Sequence, residues 1–150
     1  MTAVFPESRM SIVTLGVKDR AAVTAFYEDV VGFKNIGPKE MALFDMGGFA
    51  FGLWEYDRLA DDAGQPAGEQ TGFKGVALAY NARSEAEVDG IFERLEKAGA
   101  NITKAPHKAF WGGYSGYFAD PEGNAWEVAF NPFWPIAEDG RVQLPTGEAT

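Results

Sequence analysis

The stretch Met10-Ser-Ile-Val-Thr-Leu-Gly-Val-Lys-Asp-Arg-Ala-Ala-Val-Thr-Ala-Phe-Tyr-Glu-Asp-Val-Val-Gly-Phe33 changes its hydrophobic period halfway along. Up to residue 17 it alternates. Val13, Leu15 and Val17 make one apolar face, and Ile12, Thr14 and Gly16 make a smaller one. That pattern predicts a strand packed on one side and open on the other. Asp19 then stands where an N-cap belongs, and Val23, Phe26, Tyr27 and Val30 follow the i, i+3, i+4, i+7 spacing of an amphipathic helix, which Gly32 stops. Three short apolar runs follow at about 33–37, 41–46 and 48–56. They predict strands, with Gly47-Gly48 as a hairpin turn.

The same order recurs downstream. Residues 73–80 form an apolar run ending in Val76, Leu78 and Tyr80. Ser84 and Glu87 have the S-x-x-E spacing of a capping box. The next helix face is Val88, Ile91, Phe92 and Leu95, each 65 residues after Val23, Phe26, Tyr27 and Val30, with Gly99 as the stop. Strands are predicted near 101–104, 113–119 and 124–130, the last two joined by the turn Asp120-Pro121-Glu122-Gly123. Phe51 and Trp126 are 75 residues apart, so the second unit carries extra residues before its last strand. One matched helix could be chance, but a strand–helix–three-strand order repeated with aligned apolar positions predicts tandem βαβββ modules. The expected organisation of residues 1–150 is a single α+β domain: module one about 10–56, a polar acidic linker about 57–72, module two about 73–130 and a Pro-containing tail about 131–150. In that tail Phe133 and Trp134 are expected to dock on the body, and Thr146 to Thr150 to fray.

Composition narrows the function classes. The formal charge is −9, from 22 acidic against 13 basic residues, which argues against nucleic acid or an anionic membrane as partner. No apolar run approaches the roughly 18–20 residues of a membrane span, and Met1 to Met10 lack the layout of a secretory signal. The absence of cysteine removes thiolate nucleophiles, disulfides and cysteine metal sites, and leaves cytoplasm as the default compartment. The 18 glycines and 12 phenylalanines suggest many tight turns around a ring-rich core or cavity.

The local sequences within the repeat resemble the vicinal oxygen chelate superfamily, which includes glyoxalase I, extradiol dioxygenases and bleomycin-resistance proteins. The resemblance rests on Leu15-Gly-Val-Lys-Asp19 running into Ala25-Phe-Tyr-Glu28 and Val31-Gly-Phe33. In the second half it rests on Gly113-Tyr-Ser-Gly-Tyr-Phe-Ala-Asp-Pro-Glu-Gly-Asn124 followed by Trp126-Glu-Val128. It covers about residues 10–132. The tail Asn131-Pro-Phe-Trp-Pro135 is similar to a bacterial subgroup labelled only as glyoxalase-like. The resemblance implies two modules side by side, with sheets forming a U-shaped trough, helices outside and ligand in the concavity. Strand parity then places Ile12, Thr14, Gly16, Gly52, Trp54, Tyr56, Gly75, Ala77, Ala79, Glu127 and Ala129 on the trough side.

Metal-dependent members of that superfamily hold one divalent cation through a His or Glu on the first strand and a Glu on the last strand of each module. The matching positions here are Ile12, Gly52, Gly75 and Glu127, of which only Glu127 is a donor. No cofactor is therefore expected, unless groups elsewhere complete a site. His107, the sole histidine, is expected in a loop before the next strand, as an ordinary loop residue rather than a base. Glu55 has the opposite parity and reads as an exposed strand charge. Glu127 reads as a pocket carboxylate, with general base as its catalytic alternative.

Trp111, Tyr114 and Tyr117 flank Gly112-Gly113, and Trp54 and Tyr56 approach from the other module. With Thr14 and Glu127 they form the expected ligand-binding set. Asp61-Asp62 reads as a solvated face, with a lid as the alternative. Three readings follow, in this order. The first is metal-free binding of a small aromatic or partly apolar molecule, as in resistance proteins. The second is a glyoxalase-like lyase, isomerase or dioxygenase using Glu127 as base or within a rebuilt metal site, and the third an accessory protein with a vestigial trough. The expected partner is a small molecule, with Phe133 and Trp134 offering an apolar contact for a homodimer.

Overall fold

The structure is a computed structural model and describes Val4 and residues 7–146. Module one comprises β1 (Ile12–Val17), α1 (Arg20–Ala25), which continues as a π-helical segment over Phe26–Val31, β2 (Ala42–Asp45) and β3 (Ala50–Glu55). A short helix α2 (Tyr56–Asp62) leads out of it. Module two comprises β4 (Ala77–Ala82), α3 (Glu85–Lys97), β5 (Asn101–Lys108), β6 (Tyr114–Ala119) and β7 (Ala125–Phe130). The sheets run β1-β3-β2 and β4-β7-β6-β5, and in each the module's first and last strands pair in parallel. No helix among the described residues is long and apolar enough to cross a membrane.

Each sheet packs one face under its helix and leaves the other open. Val17, Val23, Tyr27, Phe44, Phe51 and Leu53 are buried in module one, and Val88, Phe92, Leu95, Phe118, Trp126 and Val128 in module two, in one continuous core. Asp19 caps α1 through the Ala22 amide, and Gly32 and Gly99 end the two long helices with φ of 87° and 74°. Ser84 accepts from the Glu87 amide at 3.0 Å, but the Glu87 carboxylate takes the amide of Arg83 at 2.6 Å rather than that of Ser84, so only half of the expected capping box forms.

The modules are fastened by polar groups inside this core. The Tyr27 hydroxyl donates to Asp120 Oδ2 at 2.8 Å and accepts from Trp126 Nε1 at 2.9 Å. Asp120 Oδ1 also accepts from the Glu122 and Asn124 amides, each at 2.9 Å. Glu122 extends from the same turn to the start of α1, where its carboxylate accepts from the Lys18 and Asp19 amides, both at 2.7 Å. A carboxylate there offsets the unpaired amides and positive end of the helix. The turn foreseen from Asp-Pro-Glu-Gly is thus also an intermodule clamp.

Several expected boundaries move. Residues 33–37 give only an isolated bridge, Asn35 to Phe44, because the Asn35 side chain accepts from the Gly37 and Leu43 amides and Pro38 follows. The expected linker begins as a helix: Tyr56 leaves β3 and opens α2, since Tyr56, Leu59 and Ala60 share a helical face that packs on β1. The fifth strand runs on to Lys108, through a bulged register at Pro106 that an edge strand tolerates. Phe133 and Trp134 remain 65% and 39% exposed. The edge of the Phe133 ring nevertheless lies over Gly112, and the tail is also held by hydrogen bonds, Arg83 Nη2 to the Ala137 carbonyl at 3.0 Å and Arg141 Nε to the Gly47 carbonyl at 3.3 Å. Of the residues expected to fray, all but Thr146 lie outside the described residues.

Candidate functional site

The open face of the second sheet carries most of the polar groups. Partners across paired strands share a face, and the register sets them in rows. One row runs Lys104, Tyr117, Glu127, Ala79, and the next runs His107, Ser115, Ala129, Asn81. Ala77, Ala125 and Ala119 form a third. Ala77 and Ala79 are exposed there and leave room above β4, whereas Ser115, Ala119 and Ala129 are buried. Tyr117 stands directly opposite Glu127, and hydrogen bonding to that carboxylate pushes the phenol pKa up, with desolvation and the nearby negative charge acting in the same direction.

His107 lies on β5 and not in a loop, in register with Ser115. Its Nδ1 is 3.2 Å from the Ala105 carbonyl oxygen, a contact that is a hydrogen bond only with Nδ1 protonated, which leaves Nε2 to other partners. The strand signal was masked by Pro106. The register shifts twice, between Ile102 and Lys104 and between Lys104 and His107, so Lys104 and His107 reach the same face although they are three residues apart.

The open face of the first sheet is apolar and partly covered. Ile12, Thr14 and Gly16 are in register with Ala50, Gly52 and Trp54. A Cβ on Gly52 would run into the Met41 Cε and lie 3.4 Å from Ile12 Cδ1. A Cβ on Gly16 would lie 3.0 Å from Tyr56 Cδ2 and 3.3 Å from Leu59 Cδ2, so α2 rests on the open side of β1 and needs that position bare. Glu55, expected as an exposed charge, pairs with Arg20 at 2.9 Å, and this contact lowers its pKa.

The expected aromatic set therefore divides. Thr14, Trp54 and Tyr117 lie on the open faces as parity required. Tyr56 lies over Gly16 from α2, and its hydroxyl is occupied by the Gly68 amide at 3.0 Å. The Trp111 ring covers Gly113. Tyr114 faces the helix side, where its hydroxyl donates to Asp89 on α3 at 2.6 Å and Lys108 Nζ lies 5.7 Å from its ring centroid. Strand parity puts it with Gly116 and Phe118 beneath α3, on the side away from Tyr117 and Glu127.

The four positions matching superfamily metal ligands do not fit a divalent cation. Ile12 is an exposed aliphatic side chain, Gly52 sits under Met41, and Gly75 precedes β4 with φ of 76° and nothing within 4 Å of its Cβ position. Glu127 contributes a single carboxylate beside Tyr117. Among the described residues no three His, Asp or Glu side chains cluster to hold a metal.

A family model described as "Glyoxalase/Bleomycin resistance protein/Dioxygenase superfamily" matches residues 9–128. Among solved structures, a glyoxalase-related enzyme from Fulvimarina pelagi is 36% identical with a TM-score of 0.83, over 92% of this chain and 99% of that one. A lactoylglutathione lyase from Agrobacterium tumefaciens is 28% identical with a TM-score of 0.67, over 86% and 98%. A glyoxalase/bleomycin resistance protein/dioxygenase family enzyme from Burkholderia phytofirmans PsJN is 26% identical with a TM-score of 0.68, over 80% and 96%. No functionally curated protein matches the sequence.

Proposed function

The chain belongs to the glyoxalase/bleomycin resistance protein/dioxygenase superfamily, and we propose that within it the protein binds a small aromatic or partly apolar molecule without a metal. The observation that carries this reading is the fate of the ligand positions. Where a metal-binding member needs donors, this chain has an exposed Ile12, a Gly52 beneath Met41, and a lone Glu127 opposite Tyr117. The ligand's ring or apolar part would rest on the alanine rows of the second sheet. Its polar group would meet Glu127, Tyr117 or His107. Trp54 is the ring on the first sheet's open face that stays free of a hydroxyl or glycine contact.

The test is a fluorescence titration with a panel of planar aromatic compounds bearing one hydrogen-bonding group. Saturable binding that weakens about tenfold in Glu127→Gln and in Trp54→Ala supports the reading, since one hydrogen bond to a charged group, or one ring contact, is worth roughly 1.5 kcal/mol. A panel without a binder, or binders indifferent to both variants, overturns it.

A second reading has its own support in the Glu127–Tyr117 pair, a carboxylate and a phenol that stand opposite each other on neighbouring strands, the carboxylate raising the pKa of the phenol. Such a pair suits removal of a proton beside a carbonyl by Glu127, in a glyoxalase-like lyase or isomerase. Glu127-dependent exchange of solvent deuterium into a bound carbonyl compound distinguishes this chemistry from plain sequestration.

A further inference from the structure

A cavity of about 210 Å³ lies on the helix side of the sheets, opposite the open faces, between the π-helical end of α1 and α3. Phe118, Trp126 and Val128 form its floor. Val30 and Val31 wall it on one side and Ile91 and Leu95 on the other. Val30 and Leu95 are equivalent positions of the internal repeat, so the space opens where the two long helices face each other across the core. The consecutive residues Val30 and Val31 both reach the wall from the π-helical turn, and wide turns of this kind frequently accompany functional sites.

The polar groups at its rim have unequal status. The Glu87 carboxylate is occupied by the Arg83 amide at 2.6 Å and by the Tyr80 hydroxyl at 3.4 Å. Arg94 forms no ion pair with any described residue. The rim thus presents an acid already satisfied and a guanidinium that is not, over an apolar floor. Apolar cavities of about 150 Å³ accept a benzene ring. A planar guanidinium binds a carboxylate through two parallel hydrogen bonds.

We propose that this interhelical cavity is a second ligand site, separate from the open sheet faces, which takes a ring-bearing monocarboxylate with its ring on Trp126 and its carboxylate on Arg94. The site would respond to such an acid whatever the trough binds, and the two tests fail independently.

The experiment is a methyl-resolved NMR titration of the full chain with phenylacetate, with toluene and benzylamine as neutral and cationic counterparts. The expected result is saturable shifts for the methyl groups of Val30, Val31, Ile91, Leu95 and Val128 with phenylacetate. Binding weakens about tenfold in Arg94→Gln, an exposed substitution that leaves the core untouched. Ile91→Trp, which fills the space, abolishes it, and toluene binds the wild type and Arg94→Gln equally. Shifts confined to the open sheet faces overturn the proposal. So does benzylamine binding as tightly as phenylacetate, an affinity unchanged in Arg94→Gln, or no saturable shift at all.

Discussion

Replacing Tyr27 with Phe removes one oxygen atom from the centre of the molecule. Tyr27 is 0% exposed, with Asp120 and Trp126 at 2% and 6%, so water cannot take over the lost bonds. The Asp120 carboxylate keeps its bonds to the Asn124 side chain and to two backbone amides, and is not stranded. The Trp126 indole N–H loses its partner. A buried hydrogen bond to a charged group is worth about 1.5–3 kcal/mol and an unsatisfied buried donor costs about 1–3, two quantities that overlap, so the expected loss is about 3 kcal/mol. For a chain of this size that lowers Tm by about 6–12 °C. Chemical and thermal denaturation of wild type, Tyr27→Phe, Trp126→Phe and the double variant give the magnitude and the coupling. In Trp126→Phe the indole donor is absent, so Tyr27→Phe should cost distinctly less in that background. A Tyr27→Phe variant within about 0.5 kcal/mol of wild type would refute the clamp as a source of stability.

Three more expectations concern the sheets and what packs on them. Tyr117 holds its proton longer in the folded than in the unfolded chain, because the Glu127 carboxylate raises its pKa above the ordinary 10.0. Its stabilising contribution is complete below that value and fades as pH rises through the folded pKa. Ultraviolet titration should show one tyrosine ionising at lower pH in Glu127→Gln than in wild type, and identical curves would refute the pairing. Glu55 has its pKa lowered by Arg20, so the pair stabilises above the ordinary carboxylate range and is lost as pH falls through the folded value. Arg20→Ala should flatten the acid limb of the stability profile, and an unaltered limb would count against the pair. Gly16→Leu places a side chain where Tyr56 and Leu59 lie, and should raise amide exchange in α2 and at Gly68 while sparing β3. Unchanged protection of α2 would mean that it does not rest on β1.

How far the sequence reached depended on the range of the forces involved. Helix faces such as Val23–Tyr27 and Val88–Leu95 were legible because their periodicity is local, and the 65-residue offset made two modest signals one strong one. The π-helical turn at Phe26–Val31 was not, since its residues keep an ordinary amphipathic spacing. Parity puts Thr14, Trp54 and Glu127 on the open faces, but Tyr56, assigned there too, leaves β3 to open α2. Tyr114 and Tyr117 flank the same Gly112-Gly113 step in sequence, yet their odd spacing along β6 sends them to opposite sides of the sheet. His107 was hidden by Pro106, whose bulge extends a strand that propensity would end. The role of Glu122 depends on a contact over 104 residues, invisible to any local pattern. The apolar filling around Gly52 was half legible: the missing donors are plain in the sequence, but Met41 belongs to the loop before β2 and reaches the site only through the fold.

The central claim, a superfamily trough that works without a metal, is tested most directly by metal analysis of protein purified without chelator. A thermal-shift series in nickel, zinc, manganese and ferrous ions completes the measurement. A native site at one hundred times its dissociation constant would add about 2.7 kcal/mol, well within the resolution of a melting curve. The account predicts no stoichiometric metal and no shift with any of the four ions. A stoichiometric metal that is lost in Glu127→Ala would contradict it and would place the chemistry of this chain with the metal-dependent members of its superfamily.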